Sequence, residues 1–164
     1  MYTEFTEAYA QYQIASLRCI LQSGDWLSVD NCKKILNQFP QLKLYSLGGA
    51  TEAAIWSIIY EVKCIEQNCQ TIPYGYALPG QQVLVYDENM QLCPPLVTGN
   101  LYISGDGLAL GYVNDPQLTA QKFIWHEGKK LYKTGDRGRY FENYCIEFLG
   151  RSDLQVKING FRIE

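Results

Sequence analysis

Three short stretches combine residue types that could do chemistry. Residues 48–52, GGATE, put three small residues before Thr51 and Glu52. Small residues let a ligand approach the backbone, a hydroxyl can bind a phosphate oxygen, and a carboxylate can hold Mg²⁺. A helix start with a threonine cap and an acidic first turn would read the same way. Thr134, Gly135 and Asp136 sit between strand-favouring residues in LYKTGDRGRY. Asp and Gly together make a tight turn, which gives a plain hairpin connection; a short acid in a rigid turn is also suited to accept both hydroxyls of a ribose. GRSDLQVKINGFRIE, residues 150–164, offers Arg151, which can fork onto a phosphate or ribose oxygen or stand as an ordinary solvated arginine. Singly, none of the three specifies a function.

Composition narrows the setting. A chain of 164 residues with 47% hydrophobic content is long enough for one domain with a real core. Its net charge is −3, and its 14 Lys and Arg are scattered, so it carries no electrostatic footprint for nucleic acid or an anionic membrane. The six cysteines lack the paired CxxC spacing of a zinc site and read as reduced, mostly structural thiols. MYTEFTEAYAQYQ has acids where a signal peptide needs bases, and no segment approaches the roughly 18 apolar residues of a membrane helix, so a soluble, cytoplasmic protein is expected. His126, the only histidine, lies in the polar stretch WHEGKK and is given no acid/base role.

These stretches need elements to position them. Spacings of three and four among Phe5, Ala8, Tyr9, Tyr12 and Ile14 suit an amphipathic helix over residues 3–15. The apolar run LRCILQ precedes SGDW and a capped helix from about Ser28 to Phe39, stopped by Pro40; LKLYSL is a second run, and a glycine pair leads on into a helix or strand. Strand, helix, strand and glycine turn is the order of an α/β layer, which binds ligands at its carboxyl edge. Beyond about Asn68, short runs such as QQVLVYD, NLYISG and KLYKTG alternate with turn residues, which predicts an all-β subdomain interrupted by a helix over DPQLTAQKFIW, residues 115–125.

In this order and spacing the motifs resemble the adenylate-forming enzymes, and within them the adenylation domains of nonribosomal peptide synthetases. The matching text is SLGGATEAAIWS, IPYGYALPGQQVLVYD, GNLYISGDGLALGYVNDPQLTAQKFI, LYKTGDRGRY and IEFLGRSDLQVKINGFRIE. The resemblance implies a mixed α/β fold: an α/β core piece over residues 1–68, a distorted β-barrel subdomain over 69–148, and a hinge with the first lid strand over 149–164. It implies that ATP and an amino acid give an aminoacyl-adenylate and pyrophosphate, with the acyl group then passed to the phosphopantetheine thiol of a peptidyl carrier protein among other synthetase domains. By position, Thr51 would contact the α-phosphate, Glu52 would hold Mg²⁺, and Gly49 and Ala50 would line the nucleotide. Asp136 would clamp the ribose, Arg151 would touch the same nucleotide, and Asp153 would be the hinge. Leu21, Ser23, Leu47, Ile55 and Trp56 would form the acyl pocket, similar to that of cysteine-activating domains; the same residues could also be plain core.

Some of the family's pattern is not in this text. The phosphate loop, the aspartate that grips the substrate amino group and the lid lysine are missing, so the chain alone is expected to be inactive, as a split enzyme or as a non-catalytic, partner-binding remnant. Another adenylate-forming ligase, such as an acyl-CoA synthetase, is the further alternative, and QVKI and RIE argue against it. Gly48 stands where many relatives put an aromatic that stacks on adenine, Asn100 replaces a usual Glu, and Arg137 a usual Leu.

Overall fold

The computed structural model describes residues 16–24, 27–63, 65 and 69–152, with the backbone of 156–158 and 161–163. The helix expected over residues 3–15 and the hinge at Asp153 lie outside the described residues. The chain divides into two compact units, Met1–Ser46 with Glu61–Ile72 and Leu47–Tyr60 with Pro73–Glu164.

Over residues 19–48 the expected strand–helix–strand order forms. Strand β1 (Cys19–Gln22) pairs in parallel with β2 (Lys43–Gly48), from Cys19 opposite Lys43 to Gln22 opposite Ser46. Parallel neighbours need a crossover, and helix α1 (Val29–Gln38) supplies it. Ser28 caps its start, and the Phe39 N–H closes its end on the Ile35 carbonyl before Pro40. Cys32 and Ile35, three residues apart, bury one face of α1. Burial, with the Cys69 thiol as a second cause, pushes the Cys32 thiol up to about 11. All five cysteines among the described residues are free thiols.

The second unit is mostly antiparallel sheet. A short 3-10 turn, Thr51–Ala53, leads to β3 (Ile58–Val62), which pairs with β4 (Tyr76–Ala77). Then come β5 (Gln81–Tyr86), β6 (Gly99–Gly105), helix α2 (Pro116–Lys122), β7 (Phe123–His126), β8 (Lys129–Tyr140), β9 (Ile146–Arg151), and a terminal pair, β10 (Val156–Ile158) and β11 (Phe161–Ile163). The sheet runs β5-β6-β8-β7, with β9 also on β8. Strand β6 lies inside it and alternates faces: Leu101 and Ile103 join Val83, Val85, Tyr140 and Ile146 in one cluster, while Tyr102 joins Tyr86 and Leu131 in another.

Helix α2 is shorter than the expected 115–125. Asp115 caps it, its carboxylate accepting from the Leu118 N–H at 2.9 Å, and Pro116 takes the first turn. Phe123, Ile124 and Trp125 leave the helix because they pair with Leu131 and its neighbours in β8. The loop between, Glu127 and Gly128, has φ of 48° and 74°, positive at both residues as a two-residue hairpin turn of matching twist requires. His126 therefore ends a strand, its ring against Tyr86 at 5.3 Å. Among the described residues no helix is long and apolar enough to cross a membrane.

Candidate nucleotide site

Thr134-Gly135-Asp136 is not a hairpin turn. Strand β8 continues through it for 12 residues, and the register against β6 slips there: Tyr102 faces Lys133 and Asn100 faces Arg137, so Leu101 alone spans residues 134–136. The motif is a β-bulge, the device that re-aims a side chain beside functional sites. Gly135 takes φ 82°. Thr134, 8% exposed, holds the bulge closed: its hydroxyl donates to the Leu101 carbonyl at 2.8 Å and accepts from the Asp136 N–H at 3.0 Å.

Asp136 is thereby aimed at β9. Its Oδ1 accepts from Arg151 Nη1 at 3.0 Å, and Arg151 Nη2 reaches the Thr134 carbonyl at 3.4 Å. Ser152 closes the other side, its N–H and its hydroxyl both donating to the Gly135 carbonyl at 2.8 Å. Both members of the Asp136–Arg151 pair are partly withdrawn from water, so it is less screened than a surface pair. An acceptor fixed from behind by a guanidinium suits recognition of vicinal hydroxyls.

The glycine turn also departs from the plainer expectation of a threonine-capped helix. Ala50, not Thr51, precedes the 3-10 turn, and its side chain can make no capping bond; its carbonyl takes both the Ala53 N–H at 2.9 Å and the Ile55 N–H at 3.0 Å. Ala54 and Ile55 follow at φ 58° and 68°. A β-branched residue in the left-handed region is a genuine outlier, of the kind that clusters at functional sites. Thr51 is exposed, and Gly49 and Ala50 are half-buried. An added Cβ at Gly49, φ 143°, would meet the Ser57 amide nitrogen at 2.6 Å.

Glu52 is held from two sides. Its carbonyl accepts from the Ala109 N–H at 2.8 Å, and its Oε1 accepts from the Tyr112 hydroxyl at 2.6 Å. The Tyr112 and Tyr132 hydroxyls lie 3.5 Å apart, and both rings pack on Phe123. Burial first, then the Tyr112 hydrogen bond and the Glu52 charge, raise the Tyr132 phenol well above its ordinary value. Sequence reasoning quoted the stretch holding Tyr112 without giving it a role; the only signal was its place in LALGY, just before the capped helix. Among the described residues no three His, Cys, Asp or Glu gather as a metal cage. A lone, oriented carboxylate is the donor set that suits Mg²⁺ shared with substrate phosphates.

Tyr74 joins these two halves. Its hydroxyl accepts from the Gly49 N–H at 3.1 Å, and its ring packs on Phe148 at 5.3 Å. Burial first, then the nearby Asp136 charge, raise its phenol strongly, with the Gly49 N–H and Arg151 pulling the other way. The glycine turn and strand β9 thus meet on one side chain, through Gly49 and Phe148.

The expected pocket residues fall on both units. In the first, Leu21 is 56% exposed and Ser23 is exposed. In the second, Leu47 is buried, while Ile55 and Trp56 are 63% and 40% exposed.

Residues 1–113 match the family model described as AMP-binding enzyme. Over its whole length the chain is 49% identical to pyochelin synthetase PchF of Pseudomonas aeruginosa, of which it spans 9%. Among solved structures it superposes on holo-PA1221, described as a nonribosomal peptide synthetase protein containing adenylation and PCP domains bound to a vinylsulfonamide inhibitor, with a TM-score of 0.85 and 37% identity over 92% of this chain and 27% of that one. The α-methyl-L-serine-AMP-bound form of FmoA3, another nonribosomal peptide synthetase, superposes with a TM-score of 0.84 and 33% identity over 93% of this chain and 18% of that one. The chain spans well under a third of the length of these relatives. It belongs to the AMP-binding enzyme family, and within it to the adenylation domains of nonribosomal peptide synthetases, which it matches over part of their length.

Proposed function

We propose that the chain supplies the ribose side of an ATP site, and part of an acyl pocket, to an enzyme that activates an amino acid as its adenylate, releasing pyrophosphate, and hands the acyl group to a carrier protein's phosphopantetheine thiol. The observation that carries this reading is the bulge, which aims Asp136 at Arg151 within electrostatic reach of the tyrosine that binds the glycine turn. A relative with an adenylate bound and another with its carrier domain are consistent with it. In this reading Asp136 accepts the ribose hydroxyls and Arg151, which touches the same nucleotide, keeps that carboxylate oriented. Gly49 and Ala50 bring backbone close to the nucleotide, and the exposed Thr51 hydroxyl meets the α-phosphate. Glu52, fixed by Tyr112, would hold Mg²⁺, whose charge would offset that of the departing pyrophosphate. Asp153 serves as the hinge to a lid. Adenylyl transfer is accelerated by positioning and charge stabilisation, and these residues supply both.

Cysteine is the proposed amino acid. Leu21, Leu47, Ile55 and Trp56 with the single hydroxyl of Ser23 would suit a compact, weakly polar side chain, and selectivity in such a pocket is bounded at about 1–3 kcal/mol per methylene. Titration calorimetry of the purified chain with Mg·ATP tests the nucleotide reading: saturable binding lost in Asp136→Ala is expected. A folded chain that binds no ATP, or whose Asp136→Ala variant binds equally well, refutes it.

A further inference from the structure

The glycine at position 48 and the tyrosine at position 74 form a matched pair. A Cβ built on Gly48 would run into the Tyr74 ring, so the absence of a side chain at 48 is what admits the ring. The backbone of the tyrosine is pinned in turn: its N–H and that of Gly75 both donate to the Ile146 carbonyl of β9, at 2.8 and 3.2 Å, and the Ile146 N–H returns to the Gly75 carbonyl at 2.8 Å. Strand β9 also carries Phe148, against which the ring packs, and Arg151, which holds Asp136. From that anchorage the phenol oxygen takes the Gly49 N–H at 3.1 Å. Gly49 has φ 143°, a conformation that an unanchored glycine would share with many others.

We propose that Tyr74 is a positioning residue for the nucleotide, tying the phosphate-facing glycine turn at a fixed place relative to the ribose-facing Asp136; this rests on the nucleotide reading above. A residue that sets the turn acts on phosphate contacts and leaves the ribose contact alone, whereas general loosening weakens both. The test is calorimetry of Mg·ATP and of adenosine binding to the full chain, as wild type, Tyr74→Phe and Tyr74→Ile, with thermal denaturation alongside. Tyr74→Phe keeps the ring and its packing, and loses only the acceptor. It is expected to bind ATP roughly three- to tenfold more weakly, the size of one net hydrogen bond, with adenosine affinity changed less than about twofold. Tyr74→Ile, without the ring, is expected to lose more on ATP. Equal losses on both ligands, or no loss of ATP affinity in Tyr74→Phe, overturn the assignment while leaving the nucleotide reading in place. A folded wild-type chain that binds neither ligand overturns both.

Discussion

Replacing Thr134 by valine separates the hydroxyl from the shape of the side chain. Valine fills the same volume, so no cavity opens, and β-propensity alone would make the change neutral or stabilising in a strand. The bulge argument gives the opposite sign. The hydroxyl is the partner of the Leu101 carbonyl and of the Asp136 N–H at the point where the β6–β8 register is interrupted. Leu101 is 1% exposed, so its carbonyl bears most of the unsatisfied cost, about 1–3 kcal/mol; the Asp136 N–H lies nearer water and adds less. A total of about 2–3 kcal/mol lowers Tm by about 5–10 °C in a chain of this size. Because the lost bond also oriented the Asp136 backbone, ATP affinity should fall with it, while Thr134→Ser, which keeps the hydroxyl, should retain most of both. Circular-dichroism melting and titration calorimetry read the two quantities. A Thr134→Val protein melting within 2 °C of wild type with unchanged ATP affinity would refute the claim that this hydroxyl closes the bulge.

Other perturbations follow from the same geometry. Tyr112→Phe removes the 2.6 Å donor to Glu52 and should weaken the Mg²⁺-dependent part of ATP binding by about 1.5–3 kcal/mol, with metal-free ATP binding little changed; calorimetry with Mg²⁺ and with EDTA checks it. Ile55→Gly relieves about 1–2 kcal/mol of left-handed strain at φ 68° and gives back about 0.5–1 kcal/mol to the unfolded chain, so a small rise in Tm is expected, together with poorer amino-acid discrimination in a reconstituted exchange assay. Alkaline pH should destabilise the fold. Burial raises the Cys32 thiol from 9.0 to about 11 and also raises the Tyr74, Tyr132 and Tyr140 phenols, so the folded chain keeps protons that the unfolded chain has released. Stability is whole below 9.0 and is lost as pH climbs through the folded values. Between 9.0 and about 11 Cys32 alone removes about 1.4 kcal/mol per pH unit, which urea unfolding at pH 8 and pH 10 would measure.

What could be read from the chain followed how local its cause was. Strand, helix and strand over residues 19–48 rest on apolar period, a serine cap and a proline stop, all contained within a few residues, and they formed as expected. The end of helix α2 was misplaced because Phe123, Ile124 and Trp125 are claimed by strand residues beyond a two-residue turn, a pairing that helical spacing does not register. The bulge was hidden for a stronger reason. TGD has the composition of a turn, and only the offset between Asn100 opposite Arg137 and Tyr102 opposite Lys133, thirty residues away, makes it an interruption inside a strand. Tyr74 and Tyr112 were invisible as site residues because their roles are fixed by the partners their hydroxyls reach, Gly49 and Glu52, and not by their neighbours in sequence.

Two of the departures from the family pattern become one in the fold. Asn100 and Arg137 looked like unrelated substitutions, a lost acid before LYISG and an added base after TGD, yet they face each other across β6 and β8 immediately beside the bulge. Cross-strand neighbours are the unit in which a sheet responds to side-chain change, so the two positions are expected to compensate one another and not to vary freely. Neutral Asn100 opposite Arg137 avoids a second carboxylate–guanidinium pair one residue from Asp136. An acid at position 100 would stand opposite Arg137, next in sequence to the carboxylate that accepts from Arg151 Nη1 at 3.0 Å. The pair of changes is therefore expected to alter the charge beside the bulge, and not the offset in register that makes it.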